Sequence, residues 1–262
     1  MADPASAAGG VDLRAAANAA LASRWAKPFV FILCLVPLVW TVRLAYTGEL
    51  GAEPVLESVK ASGLWALRFL LIALALTPLR MLTGVAGLAR FRRMLGLFAF
   101  FYATVHLSTY IGLDQFFDWA AIWKDIVKRP YITVGMGAFL ILTALAATST
   151  DGMVKRLGGK RWRALHKGVF VAGLAACLHF IMLVKGWQTA PLVYALICIG
   201  LLAFRRWPIR LGRRREPRVG TGPVRTGSLG TDLVRTRPAA SPRSAEAPEP
   251  RFPDGSSPAR RS

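Results

Sequence analysis

Acidic side chains are scarce in this chain of 262 residues: 14 Asp and Glu stand against 34 Lys and Arg, and charged residues make up only 18% of the sequence. An ordinary soluble enzyme carries more charge than that on its surface. Histidine and cysteine are rarer still, with three of each. Cys34, Cys177 and Cys198 all fall inside apolar runs and show neither disulfide nor metal-ligand spacing, so they read as small packing residues. No strand followed by G-x-G-x-x-G occurs, which excludes a fused dinucleotide-binding module of that type. Convincing internal repeats are also missing, which argues against an inverted-repeat transporter.

Apolar sequence is abundant, at 54% hydrophobic residues, and it is organised in long runs. Residues 94–113 and 131–150 are free of charge over 20 positions each, residues 168–184 over 17 and residues 186–204 over 19. Each is about the length that crosses a hydrocarbon core of about 30 Å at about 1.5 Å per residue. Residues 28–42 continue past Arg43 to Tyr46 as a further span, and residues 61–79 are apolar apart from Arg68. The runs are uniformly apolar rather than alternating, which excludes a transmembrane barrel and leaves helices as the structure that satisfies the backbone in lipid. The expected fold is an all-α membrane protein, a six-helix transmembrane bundle over residues 28–204. Residues 2–27 are too long and mixed for the n-region of a signal peptide, and residues 47–60 lack a convincing small-residue cleavage site. The chain is expected to stay anchored.

The net charge of +20 lies between and beyond these runs, which makes the lipid bilayer the partner and not nucleic acid. Thirteen basic residues, from Arg14 to Lys27, Arg80 to Arg93 and Lys155 to Lys167, fall on one side of the bundle. The other side holds five, namely Lys60, Lys124, Lys128, Arg129 and Lys185, together with Glu49, Glu53, Glu57, Asp114, Asp118 and Asp125. The positive-inside rule then puts both termini, residues 1–27 and 205–262, in the cytoplasm. From about Arg213 the composition shifts to Arg, Pro, Gly, Ser and Thr, which cannot bury a core and predicts a disordered basic tail. Its arginines are suited to anionic headgroups.

His106 and His179 lie well inside apolar runs, where an ionisable side chain marks a partner, a ligand or a pathway. The third and fifth spans start on the same side and run in the same direction. Counting from Met94 and Lys167, each histidine stands 12 residues in, about 18 Å along a helix and slightly past the midplane. Equal depth on parallel helices suits a cofactor sandwiched between two imidazoles, of which b-type heme is the most economical. Calcium, magnesium and structural zinc want ligands that do not cluster here. Hydrogen bonding across helices, or a proton path, remain the alternatives. His166 lies at the cytoplasmic edge, 13 residues before His179 and about 140° away around an ideal helix, so it is a weaker candidate for a ligand or a flavin or propionate contact. Arg68 either snorkels to the outer headgroups or pairs with heme propionates. Trp65, Phe98, Phe101, Tyr102, Tyr110 and Phe180 are aromatics suited to lining a porphyrin pocket, or simply to packing.

The string Arg92-Arg93-Met94-Leu95-Gly96-Leu97, followed by Phe101-Tyr102-Ala103 and His106-Leu107, resembles the third span of the MsrQ family, the heme-binding membrane subunits of periplasmic protein-methionine-sulfoxide reductases. Trp65-Ala66-Leu67 with Thr77-Pro78-Leu79, Lys128-Arg129-Pro130-Tyr131 leading to Gly135, Leu145-Ala146 with Thr148-Ser149-Thr150, and Leu157-Gly158 with Trp162, Leu165 and His166 extend the match over roughly residues 28–205. The resemblance implies a ferric-reductase-like transmembrane fold with a heme b, related to the membrane part of NADPH oxidases. It implies electrons taken from the quinone pool or a cytosolic flavin reductase and passed to a periplasmic molybdopterin-containing subunit, in the bacterial inner membrane. That partner reduces methionine sulfoxide in oxidised periplasmic proteins, so the membrane chain is an electron-transfer subunit without a catalytic residue of its own. FMN binding is also implied, and the basic loops at residues 90–93, with Arg93, and 155–167 are its candidate phosphate contacts. His106, His166 and His179 match the family's histidine positions. The competing readings are a stand-alone ferric or cupric reductase of the same superfamily, and a non-redox transporter or scaffold that would be colourless.

Overall fold

The computed structural model describes residues 4–184 and 188–206, all helix, turn or loop. The predicted tail beyond Arg206, and Lys185, lie outside the described residues. The helices are α1 (Pro4–Ala22), α2 (Ala26–Thr47), α3 (Pro54–Thr83), α4 (Arg92–Thr109), α5 (Trp119–Lys128), α6 (Pro130–Ala147), α7 (Asp151–Leu165), α8 (Gly168–Leu183) and α9 (Thr189–Arg206). A 3₁₀ turn, Ala86–Phe91, leads into α4, and a π-helical turn, Tyr110–Asp114, extends it.

Helices form over all six expected stretches, as α2, α3, α4, α6, α8 and α9, though fewer than six meet the length and composition of a membrane span. Four stretches are long and apolar enough to cross a membrane on their own: α2, α3, Ala86–Asp114 around α4, and α6. The last two spans are shorter: α8 forms a pair with α7 bent by 45°, and Thr189–Arg205 falls in the short apolar class. The outer faces are apolar as well. On α2, Phe29, Ile32, Leu33, Val36, Val39 and Trp40 are exposed and only Cys34 is buried. Apolar surface of that extent is stable against lipid and not against water. This is a multi-pass helical membrane protein.

Two cores hold the bundle. Phe69, Leu70, Ala73 and Leu76 of α3 pack with Leu95, Phe98, Ala99 and Tyr102 of α4 and Cys34 of α2. Leu67, Leu71 and Leu74 on another face of α3 meet Cys177 of α8 and Cys198 of α9. Helix α3 is thus the central post, buried on two sides. The principal helix pairs are α3 with α4 and α6 with α8. The cysteines are free thiols buried in these cores.

Helix starts and stops follow local chemistry. Pro54 and Pro130 stand in the first turns of α3 and α6, where a missing N–H costs nothing. Gly48 and Gly84, at φ 75° and 74°, close α2 and α3 in the left-handed conformation. Asp118 caps α5 by accepting from the Ala121 amide, and Thr150 caps α7 by accepting from Met153. The amphipathic α5 and α7 lie in the loops joining the spans, and neither was expected as a helix from the sequence.

Candidate functional site

His106 and His179 come together. Their ring centroids are 6.3 Å apart with the planes at 80°. Both lie near the same ends of their helices, His106 three residues before the end of α4 and His179 four before the end of α8.

Each ring is tied through the same atom. His106 Nδ1 lies 2.8 Å from the Val59 carbonyl on α3, and His179 Nδ1 lies 2.7 Å from the Tyr131 carbonyl on α6. A carbonyl can only accept, so both Nδ1 atoms carry the proton, and in the neutral rings both Nε2 atoms keep a free lone pair. That tautomer is the one in which Nε2 binds a metal while Nδ1–H is held from behind. Two imidazoles on opposite sides of one metal, with bonds of about 2 Å and ring centres roughly 1 Å further back, stand about 6 Å apart. The observed separation fits. No group of three or more His, Cys, Asp or Glu side chains able to hold a metal occurs among the described residues. The pair accordingly suits a metal that brings its remaining ligands with it, as a macrocycle does.

The seats extend outward through polar contacts. Tyr110 donates its hydroxyl to Asp125 at 3.0 Å, Asp125 pairs with Arg129 at 3.2 Å, and Arg129 donates to the Tyr131 hydroxyl at 3.3 Å. This chain clamps the ends of α4 and α5 to the start of α6, beside the carbonyl that holds His179.

The remaining candidates lie elsewhere. His166 caps α7 at the bend into α8, stacked on Trp162 with centroids 3.9 Å apart, and its Nε2 is 3.3 Å from Thr148 Oγ1. Because Thr148 already donates to the Ala144 carbonyl, its oxygen accepts from His166. Burial in this junction, with the guanidinium of Arg92 nearby, pushes the His166 imidazole below its ordinary value. Arg68 lies over the Trp65 ring at 4.7 Å and donates through Nε to the Tyr194 hydroxyl at 2.8 Å, joining α3 to α9. Arg93 pairs with Asp151 at 2.6 Å, linking the starts of α4 and α7. Of the aromatics, Phe98 and Tyr102 belong to the α2–α3–α4 core, Phe101 packs at its edge against both, and Phe180 packs on Tyr194.

Val59 and Tyr131 hold the imidazoles through backbone carbonyls, Gly63 and Gly135 offer no side chain at all, and only the Tyr131 ring also packs against its histidine, 6.1 Å from His179 between centroids; none of the four was assigned a role at the site from sequence. A carbonyl acceptor leaves no trace in residue type. The glycines were the available signal, since each stands four residues after a carbonyl that holds a ring.

Comparison with known proteins identifies the family. Residues 62–177 match the family described as ferric reductase like transmembrane component, a stretch from α3 into α8 that includes His106 and His166. The heme-binding subunit MsrQ of the protein-methionine-sulfoxide reductase of Rhodospirillum rubrum is 54% identical over 189 residues, 72% of this chain and 90% of that protein. The chain belongs to the MsrQ family. The MsrQ of Xanthomonas oryzae pv. oryzae is 48% identical over 207 residues, covering 77% of this chain and 94% of its own length. That of Caulobacter vibrioides is 43% identical over 185 residues, 71% and 87%. Membership of the MsrQ family agrees with the all-helical membrane fold.

Proposed function

We propose that this chain is the heme b-carrying electron-transfer subunit of a methionine-sulfoxide reductase system in the bacterial inner membrane, with both termini in the cytoplasm. The observation that carries the reading is the imidazole pair: 6.3 Å between centroids, both Nδ1 atoms committed to backbone carbonyls, both Nε2 atoms free. The MsrQ relatives are named as heme-binding subunits, which agrees with that donor set. His106 and His179 would hold the heme iron through Nε2, and the group would supply a one-electron couple.

The rest of the work belongs to the protein. The carbonyls of Val59 and Tyr131 hold the ring protons on Nδ1 and make both imidazoles stronger donors. The apolar spans exclude water and fix the pair near the ends opposite the basic loops. Electrons come from the quinone pool or a cytosolic flavin reductase and leave toward a periplasmic molybdopterin-containing subunit, where methionine sulfoxide is reduced. No substrate bond is made or broken on this chain. His166, tied to Thr148 and Trp162, is a junction residue in this reading, and FMN rests on the family resemblance alone.

The test is a dithionite-reduced minus oxidised visible spectrum of purified wild type, His106→Ala and His179→Ala. A b-type signal in wild type that both variants lose is expected. A colourless wild type, despite heme supplied during expression, returns the pair to packing or proton relay.

A further inference from the structure

The two histidine seats are copies of one device. On α3 the Val59 carbonyl accepts from His106 Nδ1, and four residues on stands Gly63. On α6 the Tyr131 carbonyl accepts from His179 Nδ1, and four residues on stands Gly135. A methyl group at Gly63 would lie 2.8 Å from His106 Nδ1 and 3.0 Å from Cε1. One at Gly135 would lie 2.8 Å and 3.0 Å from the same atoms of His179. Such distances are closer than a carbon can approach without moving the ring. Other glycines of these helices are unlike them: Gly96 on α4 and Gly137 on α6 have open space where a Cβ would stand.

The coincidence has a physical reason. A carbonyl one turn below a position on a helix points along the axis toward that position, and there its bond partner is the amide of the residue four further on. An outside imidazole can share that oxygen only if the residue above it has no side chain in the way. Glycine at that position lets the ring lie flat against the helix backbone with Nδ1 over the oxygen. Its helical cost relative to alanine, about 1 kcal/mol, is incurred twice at matching places.

We propose that Gly63 and Gly135 are positioning residues that seat the two imidazoles against α3 and α6, fixing Nδ1 on its carbonyl and the nearly perpendicular ring planes. The proposal rests on the heme reading above and goes beyond it: it assigns the ligand-plane angle and the ligand basicity to two glycines that touch no metal. Orientation follows because the α3 and α6 seats are separate surfaces, each fixing its ring independently, and the outcome is the 80° between planes. Basicity follows because a ring pushed off its carbonyl loses the bond that enriches Nε2. A poorer donor favours the ferrous form.

The experiment compares wild type with Gly63→Ala, Gly135→Ala and the controls Gly96→Ala and Gly137→Ala, all full-length in detergent. It reads heme content, the low-temperature electron paramagnetic resonance of the ferric protein, and the reduction midpoint. Wild type is expected to give a strongly anisotropic low-spin signal, the mark of perpendicular axial planes. In the two seat variants that signal is expected to move toward the rhombic form of coplanar rings. Their ferric-to-ferrous equilibrium should shift at least tenfold toward the reduced form, about 59 mV for one electron. The controls should match wild type in all three readouts.

A coplanar-type signal in wild type overturns the proposal, as do seat variants that keep heme, signal and midpoint unchanged. Should the seat variants lose heme while retaining wild-type helicity and melting temperature, the seats are needed for ligation, as proposed. Should they fail to fold, the wild-type signal alone decides. Wild type without any heme overturns the functional reading instead, and is recognised by the missing visible spectrum.

Discussion

Tyr102 shows how a single hydroxyl can replace a helix hydrogen bond. It donates to the Cys34 carbonyl at 2.8 Å and accepts from the Leu38 amide at 3.0 Å, inserting between two groups that an unbroken helix would pair with each other. The neighbouring Pro37 lacks an N–H and opens this turn of α2. Tyr102→Phe leaves a buried donor and acceptor facing an apolar edge, a loss of about 1–3 kcal/mol. A lower melting temperature with an unchanged pigment spectrum is expected. His166 makes a second residue-scale prediction, this one in pH. Its folded pKa is lowered, first by burial and then by Arg92, so the fold prefers the neutral ring. The stabilisation is complete above the unfolded value of about 6.5 and is lost as pH falls through the lower folded value. Hydrogen exchange around Thr148 and Trp162 should rise on acidification in wild type, and His166→Gln should flatten that rise. Equal acid profiles would refute the assignment. What was legible at this scale was the facing of His106 and His179, because equal depth on parallel helices is a property of sequence position. Their backbone seats were not legible, since any residue offers a carbonyl. The partners of Arg68 and Arg93 depended on where α9 and α7 pack, which spacing does not reveal.

Among the elements, the six apolar runs could be read from sequence because lipid imposes length and composition directly. Their ends were less readable. Helix α3 begins seven residues before the expected residue 61, and Glu57 and Lys60 form an exposed ion pair on its first two turns, outside the apolar stretch. Loop helices α5 and α7 escaped notice because their apolar residues are too few to form a run. Helix α7 also contains a break: Gly158 has φ 74° and ψ 149°, a region essentially reserved for glycine. No atom stands within 4 Å of the place its Cβ would occupy, so the cost of a side chain there is purely conformational. Gly158→Ala is expected to destabilise the α7 loop by about 1–3 kcal/mol, seen as faster proteolysis between Asp151 and His166. Unchanged cleavage would show that the break adapts freely.

For the whole molecule, charge is the organising quantity. Basic residues at the starts of α4 and α8 and along α7 lie at the ends opposite the histidine pair, which leaves the pair near the sparsely basic side. With the positive side inside, cysteine placed at Lys124 should react with a membrane-impermeant maleimide in spheroplasts, while cysteine at Lys160 should react only after lysis. The opposite pattern would invert the topology. The basic tail should be dispensable on compositional grounds: truncation after Arg214 is expected to leave heme content unchanged, and loss of pigment would refute this.

The placement of His106 and His179 in the halves of α4 and α8 away from the basic loops also has an electrical meaning. In the proposed orientation, an electron delivered from the basic end would cross more than half of the low-dielectric layer, moving from the negative toward the positive side of an energised membrane. A full crossing is worth about 2.3 kcal/mol per 100 mV, in the direction that favours transfer. Reduction by a cytosolic donor therefore becomes faster when the membrane is energised and slower when an uncoupler collapses the potential. Reduction by a quinol bound at the histidine end is indifferent to the potential, so one uncoupler titration in inverted and right-side-out vesicles assigns the side from which electrons arrive.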